Sequence, residues 1–406
     1  MTFVSGSEYF FCKKDKLGTP VNRSYLRRFH ASAIFHRIRL EPSISQREII
    51  ERSGFDKSTV SSIVSRFSEM GLIERQPKPE ANRRGRPSEG LQISRNSGLL
   101  VGVQIEAEAV GFVVCGLDGT VMASRIEPFS GALEGINAYV KTGIETIVSA
   151  SGSRAPIMGV GVSLPGLVKR DGALVHVPVL GWRDVDMLER LKGIAAAPVF
   201  VGNDGKAAAM AERMFGACTE IEDFVYLFSG SGVGGALFLD GEVYGGADGL
   251  AGELGHIKVV PQGRFCSCGA SGCLSAYLSE PALAQEIERL GGSVPNGFAS
   301  ILEGAAAGDE VVLNVLDHTG EVLGSAVSSL INIFNPPMVL LGGNIALAQS
   351  YLSVAMDRAL MRLAHPAMYS RSTVKFSEIS EGMPLLGGVA IALDGVTSLD
   401  GSHVLQ

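Results

Sequence analysis

The sequence predicts an α/β protein in which a small helical domain is followed by two larger lobes of strands and helices. The first indication is charge, since residues 1–95 carry 18 Lys and Arg against 10 Asp and Glu, whereas the rest carries 17 against 32. A basic N-terminal segment followed by an acidic remainder indicates a polyanion-binding domain joined to a domain with a different role. The second is a repeat, because EAEAVGFVVCGLDGTV (106–121) and FSGSGVGGALFLDGEV (228–243) align without gaps. A repeated strand–loop–strand unit indicates two similar lobes.

Length and composition limit the class of protein. A length of 406 residues and a hydrophobic content of 46% allow two or three domains with sizeable cores. The start of the chain contains no long apolar region of the kind that a signal peptide needs. The longest uncharged run, 322–356, is interrupted by Asn335-Pro336-Pro337 and Gly342-Gly343-Asn344, so we expect no membrane insertion. Clustered cysteines favour a metal over disulfides, and we expect a cytoplasmic protein.

Residues 1–22 show no sustained periodicity and are expected to form a mobile arm, and residues 23–95 are expected to form a separate domain. A first helix from Ser24 is predicted by apolar residues that recur on one face. They are Leu26, Phe29, Ala33 and Ile34. A second helix begins at Ser45, where Ser45-Gln46-Arg47-Glu48 fits a capping box, and it ends near Ser53-Gly54.

A third helix, capped by Asp56 or Ser58, has an apolar stripe with small polar and basic residues beside it. The stripe consists of Val60, Ile63, Val64, Phe67 and Met70. The residues off the stripe are Lys57, Ser58, Thr59, Ser61, Ser62 and Arg66. Small hydroxyls with flanking bases reach phosphates and base edges in a major groove without steric bulk, so this helix is predicted to bind double-stranded DNA.

Two short strands, Glu74–Gln76 and Leu91–Ile93, are predicted on either side of a basic turn at 78–88. The arginines of this turn are Arg83, Arg84 and Arg86. The pattern is that of a winged helix-turn-helix whose wing lies along phosphates or in a narrow minor groove. The alternative is a small helical domain that binds protein and carries solvated arginines. The spacing, the serine-rich helix and the basic wing together favour DNA.

The two lobes are predicted at 96–220 and 221–406. The first begins with strands at Leu99–Val103 and Val110–Leu117. Two similar α/β lobes are found in the actin-like, sugar-kinase (ribonuclease H-like) fold, in which a ligand lies in the cleft between them. A closing helix at Pro384–Leu393 is expected to pack back on the first lobe.

A carboxylate follows a predicted strand of the first lobe. The strand at 198–201 ends at Asn203-Asp204, directly before a helix. Groups that face a ligand gather at the carboxyl ends of parallel strands in open α/β sheets. An aspartate at a helix start is also a common N-cap, and the local pattern favours neither reading over the other.

The stretch after residue 250 places an acid, an imidazole and three thiols close together. Glu253 precedes His256 by three residues, and Cys266, Cys268 and Cys273 follow. One His and three Cys match the ligand set of a closed tetrahedral zinc site. Gly269 and Gly272 can bend the chain around the ion, which favours structural Zn²⁺ over the alternative of small buried thiols beside an ordinary surface histidine.

AGELGH followed by CSCGASGC resembles the signature of the ROK family, which contains bacterial sugar kinases and sugar-responsive repressors. The resemblance runs from about Leu99 to the C-terminus, and the N-terminal domain with its GRP-containing wing is similar to that of the family's repressors. It implies that the His and three Cys bind zinc, and that Glu253 and His256 face a sugar. It also implies that Asn203 binds sugar hydroxyls and that Asp204 matches the general base of the kinases.

The chain departs from the kinase pattern where ATP would bind. ROK kinases carry Asp-x-Gly-Gly-Thr in the first lobe, whereas here Gln104 replaces the Asp and Glu106 occupies a glycine position. A neutral amide cannot hold Mg²⁺ as a carboxylate does, and Glu106 places negative charge against a triphosphate. Ser275 replaces a family Glu that contacts the sugar, and Val179 replaces an Asn. These changes predict a kinase fold without kinase activity and a locally larger ligand pocket.

Three hypotheses follow. The first is a transcriptional regulator, a repressor of carbohydrate genes, whose affinity for its operator is shifted by a sugar. The second is an active ATP-dependent sugar kinase with an added DNA-binding domain. The third is a regulator that is controlled by a protein partner or binds constitutively. Because operators read by such modules are usually two-fold, we expect a homodimer or a tetramer.

Overall fold

The computed structural model describes residues 23–77, 89–378 and 385–398. The expected arm at 1–22 and the wing at 78–88 lie outside these residues, and with the wing Arg83, Arg84 and Arg86. Within the described ranges, every helix is too short or too polar to span a lipid bilayer.

The N-terminal domain consists of three helices and a two-stranded sheet. They are α1 (Arg23–Leu40), α2 (Gln46–Ser53), α3 (Lys57–Glu69), β1 (Ile73–Pro77) and β2 (Glu89–Ile93). The expected capping box at Ser45 is present, and Gly54 ends α2 in the left-handed conformation at φ 69°. Asp56, and not Ser58, is the N-cap of α3. β1 and β2 pair antiparallel, with Ile73 opposite Ile93, so this is a helix-turn-helix followed by the base of a wing.

The buried face of α1 differs from the predicted one. Its fully buried apolar residues are Ala31, Ile34, Phe35 and Ile38. Leu26 is 43% exposed, and Phe29 and Ala33 are only half-buried. In α3 the predicted stripe is buried except for Met70, which lies beyond the end of the helix and is 42% exposed.

The first lobe is built on a five-stranded sheet with order β10-β6-β3-β4-β5 and a small sheet with order β7-β8-β9. Its strands are β3 (Leu99–Ile105), β4 (Ala109–Gly116), β5 (Val121–Pro128), β6 (Ile157–Leu164), β7 (Leu167–Val168), β8 (Ala173–Val177), β9 (Trp182–Asp186) and β10 (Val199–Asn203). Its helices are α4 (Ile136–Ala150), α5 (Met187–Arg190) and α6 (Asp204–Phe215).

The second lobe is built on a five-stranded sheet with order β13-β12-β11-β14-β15. Its strands are β11 (Phe224–Ser229), β12 (Val233–Leu239), β13 (Glu242–Val243), β14 (Met338–Gly343) and β15 (Thr373–Phe376). Its helices are α7 (Ser275–Leu278), α8 (Glu280–Arg289), α9 (Gly297–Ala306), α10 (Glu310–Phe334), α11 (Asn344–Leu347), α12 (Gln349–Leu363) and α13 (Pro366–Tyr369).

The two large sheets have the same topology. In each, two antiparallel pairings join the first three strands, and two parallel pairings add the remaining strands on the other side of the first. β4 of the first sheet therefore corresponds to β12 of the second. These two strands lie in the segments 106–121 and 228–243, so the sequence repeat marks a real structural repeat.

The last described helix, α14 (Leu386–Thr397), lies against the first sheet. Glycines allow this close approach, since a Cβ at Gly161 would lie 1.9 Å from the carbonyl oxygen of Gly388. The apolar residues of α14 also join the core of the N-terminal domain in one continuous buried cluster. The domain limits drawn from the sequence at 95/96 and 220/221 stay predictions.

Candidate functional site

A cleft of about 1380 Å³ lies between the two lobes. The carboxyl ends of β3, β6 and β10 line it from the first lobe, and those of β11 and β14 line it from the second. Open α/β sheets bind ligands at this edge because the loops that follow the strands can supply polar groups there. The predicted ligand-facing residues Asn203, Asp204, Glu253 and His256 all line the cleft.

The sequence left open whether the side chain before α6 caps the helix or faces a ligand, and here Asn203 takes the capping role while Asp204 faces the cleft. Asn203 is the N-cap of α6, and its side-chain oxygen accepts a hydrogen bond from Lys206 N at 3.0 Å. Its amide donates to the carbonyl of Gly166 at 3.0 Å and to Asp204 Oδ1 at 2.9 Å. Asp204 Oδ1 also accepts from Gly205 N at 2.8 Å. The Asn203 side chain therefore holds Asp204 in place, and Asp204 is released from capping to face the cleft.

Two carboxylates lie near Asp204, and a lysine lies near one of them. Burial between the cleft walls, together with the nearby carboxylates of Glu253 and Glu106, raises the pKa of Asp204 to about 7. Burial also raises the pKa of Glu253, against the opposing charge of Lys206. The Lys206 ammonium donates to the carbonyl of Gly249. Sequence reasoning missed Lys206, although its place in the first turn of the helix after Asn203-Asp204 was a usable signal.

Replacing Asp204 with Asn should remove part of the pH dependence of stability. An unfolded Asp ionises near pH 3.8, whereas the folded carboxyl keeps its proton to about pH 7, so its favourable contribution is complete below pH 3.8 and is lost as the pH rises to 7. Above pH 7 the buried charge costs at most about 4 kcal/mol, and solvent in the cleft lowers this cost. We expect Asp204→Asn to raise the free energy of unfolding at pH 8 by roughly 1–3 kcal/mol, measured by urea denaturation. An equal gain at pH 5 would contradict this assignment.

The predicted metal ligands come together beside the cleft. The side-chain donor atoms of His256, Cys266, Cys268 and Cys273 all lie within 4.8 Å of one another. His256 ends a short 3₁₀ helix at Leu254–His256, directly after Glu253, and the three cysteines lie on a tight hairpin. This hairpin requires glycine at 272, where φ is 74° and a Cβ would lie 2.0 Å from the carbonyl oxygen of Val260.

Two separations between these donors are close to those expected around a tetrahedrally coordinated ion. The Sγ atoms of Cys268 and Cys273 are 3.7 Å apart, and Cys266 Sγ is 3.7 Å from His256 Nδ1. Zinc–sulfur bonds of about 2.3 Å in a tetrahedron place neighbouring sulfurs about 3.8 Å apart. Lys258 Nζ donates to Cys273 Sγ at 2.7 Å. All four donors are therefore close enough together to hold a metal ion.

The cleft continues from Asp204 toward the glycine loop of the second lobe. A Cβ at Gly230 or Gly232 would meet no atom within 4 Å, so this backbone is open to the cleft. On the facing side Gln104 Nε2 donates to Glu106 Oε1 at 2.5 Å, which places a carboxylate at the end of β3. Ser275 also lines the cleft, and its hydroxyl donates to the carbonyl of Gly255 at 2.9 Å.

The predicted DNA-facing residues occupy one side of α3. Lys57, Ser58, Ser61 and Ser62 are exposed, and Thr59 and Arg66 are half-buried. The hydroxyls of Ser58 and Thr59 donate to the carboxylate of Asp56, so these two side chains stabilise the helix start. Ser65, which sequence reasoning did not single out, is exposed one turn after Ser61 and Ser62.

Two family models match this chain, one over the N-terminal domain and the other over the two lobes. The model of the ROK family matches residues 100–394, and that of the MarR family matches residues 26–84. The xylose repressor of Bacillus subtilis strain 168 is 24% identical over 375 residues, covering 92% of this chain and 97% of the repressor. The DNA-binding transcriptional dual regulator NagC of Escherichia coli strain K12 is 26% identical over 375 residues, covering 88% and 91%.

Two solved structures match this chain, one over nearly its whole length and the other over a smaller part of it. The crystal structure of a ROK family transcriptional regulator, a homologue of the E. coli MLC protein, is similar with a TM-score of 0.79 and 25% identity, covering 93% of this chain and 98% of that one. A ROK family glucokinase from Streptomyces griseus, in complex with glucose and AMPPNP, is similar with a TM-score of 0.64 and 25% identity, covering 73% of this chain and 100% of the kinase. The predicted fold is thereby confirmed, and the chain belongs to the ROK family, with a MarR-type winged helix-turn-helix ahead of the two lobes.

Proposed function

We propose that the protein is a DNA-binding transcriptional repressor of carbohydrate genes whose affinity for its operator is changed by a sugar in the cleft. The observation that carries this proposal is the union, in one chain, of a helix-turn-helix with a ROK cleft in which Asp204 is held toward the ligand space. The xylose repressor and NagC, which match over most of their length, support this role.

The cleft residues have distinct parts in this proposal. Asp204 and Glu253 accept hydrogen bonds from sugar hydroxyls, Asn203 orients Asp204, and His256 presents one face to the ligand while its ring binds the metal. We assign the metal as structural Zn²⁺ on the donor set and its spacing. When bound, zinc fixes the hairpin and thereby the position of Glu253.

The test is a mobility shift of the operator with and without sugars. Genomic footprinting with purified protein first identifies the operator, and D-xylose, D-glucose and N-acetylglucosamine then serve as probes. We expect one of them to weaken operator binding by at least about fivefold, the lower end of common allosteric couplings. Unchanged operator affinity with a broad panel of sugars would favour control by a protein partner.

No Mg²⁺-ATP-dependent phosphorylation of these sugars should be detected. The end of β3 offers Gln104 and Glu106 where a kinase needs a metal-binding carboxylate and a glycine, so one half of the phosphate clamp is missing. A coupled assay that showed turnover above about one per second, the lower range for kinases, would instead support an active enzyme.

Ser61→Ala or Ser62→Ala should weaken binding only at operators with the preferred base. Each hydroxyl is exposed on the face of α3 that would enter the groove, and a lost base contact costs roughly 1–3 kcal/mol of discrimination. Fluorescence anisotropy with matched operator variants measures this. Ser68→Ala, at a half-buried position of the same helix, is the control. Equal weakening on all sequences would indicate phosphate contacts instead.

The proposed operator contacts also include Lys57, Ser58, Thr59 and Arg66 of α3 and the wing residues Arg83, Arg84 and Arg86. Removing Arg86 should weaken binding nearly uniformly across sequences, since wing arginines that contact phosphates carry no sequence information. A two-fold operator implies a homodimer or a tetramer. A role on DNA places the protein in the cytoplasm.

A further inference from the structure

A buried polar joint connects the DNA-binding domain to the lobes. Arg39 near the end of α1 is only 7% exposed, and its Nη1 donates to the carbonyl of Met214 in α6 at 2.9 Å. Its guanidinium lies 5.1 Å from the centre of the Phe215 ring. A buried cation is costly unless its donors are satisfied, so these contacts fix where α1 lies on α6.

His36, one turn earlier on α1, completes the joint. Its Nε2 is 3.0 Å from Thr397 Oγ1 in α14. The Thr397 hydroxyl donates its own proton to the carbonyl of Leu393 at 2.7 Å, so His36 Nε2 is the donor in this contact. His36 Nδ1 then accepts from Arg39 Nε at 3.5 Å. Burial, together with the charges of Arg39 and Arg213, lowers the pKa of His36 to about 3, which keeps the ring neutral.

The carboxyl end of α6 contacts all three parts of the molecule. Phe215 packs under Arg39 and also against the β4–β5 turn, where a Cβ at Gly119 would lie 2.6 Å from its ring. Glu212, which is 1% exposed, accepts from Ala217 N at 3.0 Å and from the hydroxyl of Ser377, which follows β15. A displacement of one lobe relative to the other would therefore change the contacts at this end of the helix.

The amino end of the same helix lies in the cleft. Asp204 is the first residue of α6, and a Cβ at Gly205 would lie 2.7 Å from Gly235 N in the second lobe. Twelve helical residues span about 18 Å at 1.5 Å per residue. One rigid helix thus has its first residue in the ligand space and its last residues under Arg39.

We propose that α6 and the joint of His36, Arg39, Met214, Phe215 and Thr397 transmit occupancy of the cleft to the DNA-binding domain. A ligand that holds Asp204 in one arrangement of the lobes displaces α6, and the Arg39 contacts carry this displacement to α1 and so to α3. Such a ligand must favour one of two arrangements, because equal binding to both would shift nothing. The inference rests on the proposed function of the cleft.

The test compares Arg39→Met with Arg37→Met. Methionine keeps most of the volume over Phe215 but removes the charge and the donors. Arg37, on the same helix, pairs with Glu41 of the N-terminal domain at 2.8 Å, so it is the matched control. Operator affinity is measured by anisotropy with and without D-xylose, D-glucose and N-acetylglucosamine, and sugar affinity is measured by calorimetry on the same preparations.

We expect Arg39→Met to bind both operator and sugar while the ratio of operator affinities with and without sugar falls from its wild-type value to near one. By reciprocity, operator DNA should also cease to alter sugar affinity in this variant. Arg37→Met should keep the wild-type ratio. If Arg39→Met does not fold, Phe215→Leu, which removes the ring beneath the guanidinium, is expected to give the same loss of ratio.

The outcomes separate the two claims. A wild-type protein that responds and an Arg39→Met protein that responds equally would overturn the joint and leave the proposed function intact. A wild-type protein that binds its operator identically with every sugar would count against the proposed function itself, and against the joint with it. Loss of the ratio in Arg37→Met as well as in Arg39→Met would show that any change on α1 disrupts the response, and would overturn the specific role of Arg39.

Discussion

Asp204→Ala should abolish the effect of the sugar while operator affinity without sugar stays near that of the wild-type protein. Asp204 lines the cleft between the lobes, whereas the DNA-facing residues of α3 lie in the other domain. Loss of a charged acceptor for a buried hydroxyl costs roughly 1.5–3 kcal/mol, which corresponds to about 10- to 100-fold weaker sugar binding. Calorimetry for the sugar and anisotropy for the operator measure the two quantities separately.

Glu145→Ala is a suitable control, since Glu145 is exposed on α4 and does not line the cleft. It should change neither quantity. An Asp204→Ala protein that still responds to the sugar with normal sensitivity would show that the ligand binds elsewhere. A protein that binds sugar weakly but responds fully at saturation would assign Asp204 to affinity alone.

Cys268→Ser should lower the zinc content from about one ion per chain and weaken sugar binding at the same time. Cys268 is the exposed member of the four ligands, so the change to Ser disturbs the metal site without placing a new hydroxyl in the core. Without the ion, the hairpin loses the bonds that tie His256 to the cysteines, and Glu253 lies only three residues before His256. Metal ligation is often a major part of the stability of such small elements.

Inductively coupled plasma analysis gives the zinc content, and calorimetry on the same sample gives sugar affinity. Ser267→Ala, at the neighbouring exposed residue, is the matched control for zinc content and should keep it; because Ser267 also lines the cleft, it is not a control for sugar affinity. Full zinc content in Cys268→Ser would make the ligand assignment wrong. Reduced zinc with unchanged sugar binding would show that the metal does not position Glu253.

Much of this arrangement could be predicted because the signals are local. The capping box at Ser45 and the His and Cys spacing around the metal site depend on residues close in sequence, and the structure brings each set together as expected. The repeat at 106–121 and 228–243 is a copy of a pattern, and it needed no knowledge of tertiary contacts. The spacing of residues along the chain is sufficient to predict these features.

The predictions that were wrong concern features that tertiary packing determines. Leu26 and Phe29 have the right period for a buried face, yet α1 is covered by its own domain at Phe35 and Ile38 and by α14 at His36. A periodic pattern does not say which of two neighbouring faces will be covered. The N-cap role of Asn203 depends likewise on the path of the chain after β10. Arg39 donates to the carbonyl of Met214, which is far from it in the sequence.

The shared core of α14 and the N-terminal domain has a consequence for how the protein is made. The apolar residues of α1 and α14 belong to one buried cluster, although about 350 residues of chain separate Ile38 from Val389. At a translation rate of about 5–20 residues per second, the ribosome needs roughly 20–70 seconds to synthesise that interval. During this time the side of the N-terminal domain that packs on α14 has no partner. We therefore expect the nascent N-terminal domain to be vulnerable to chaperone capture and proteolysis until α14 has left the ribosome.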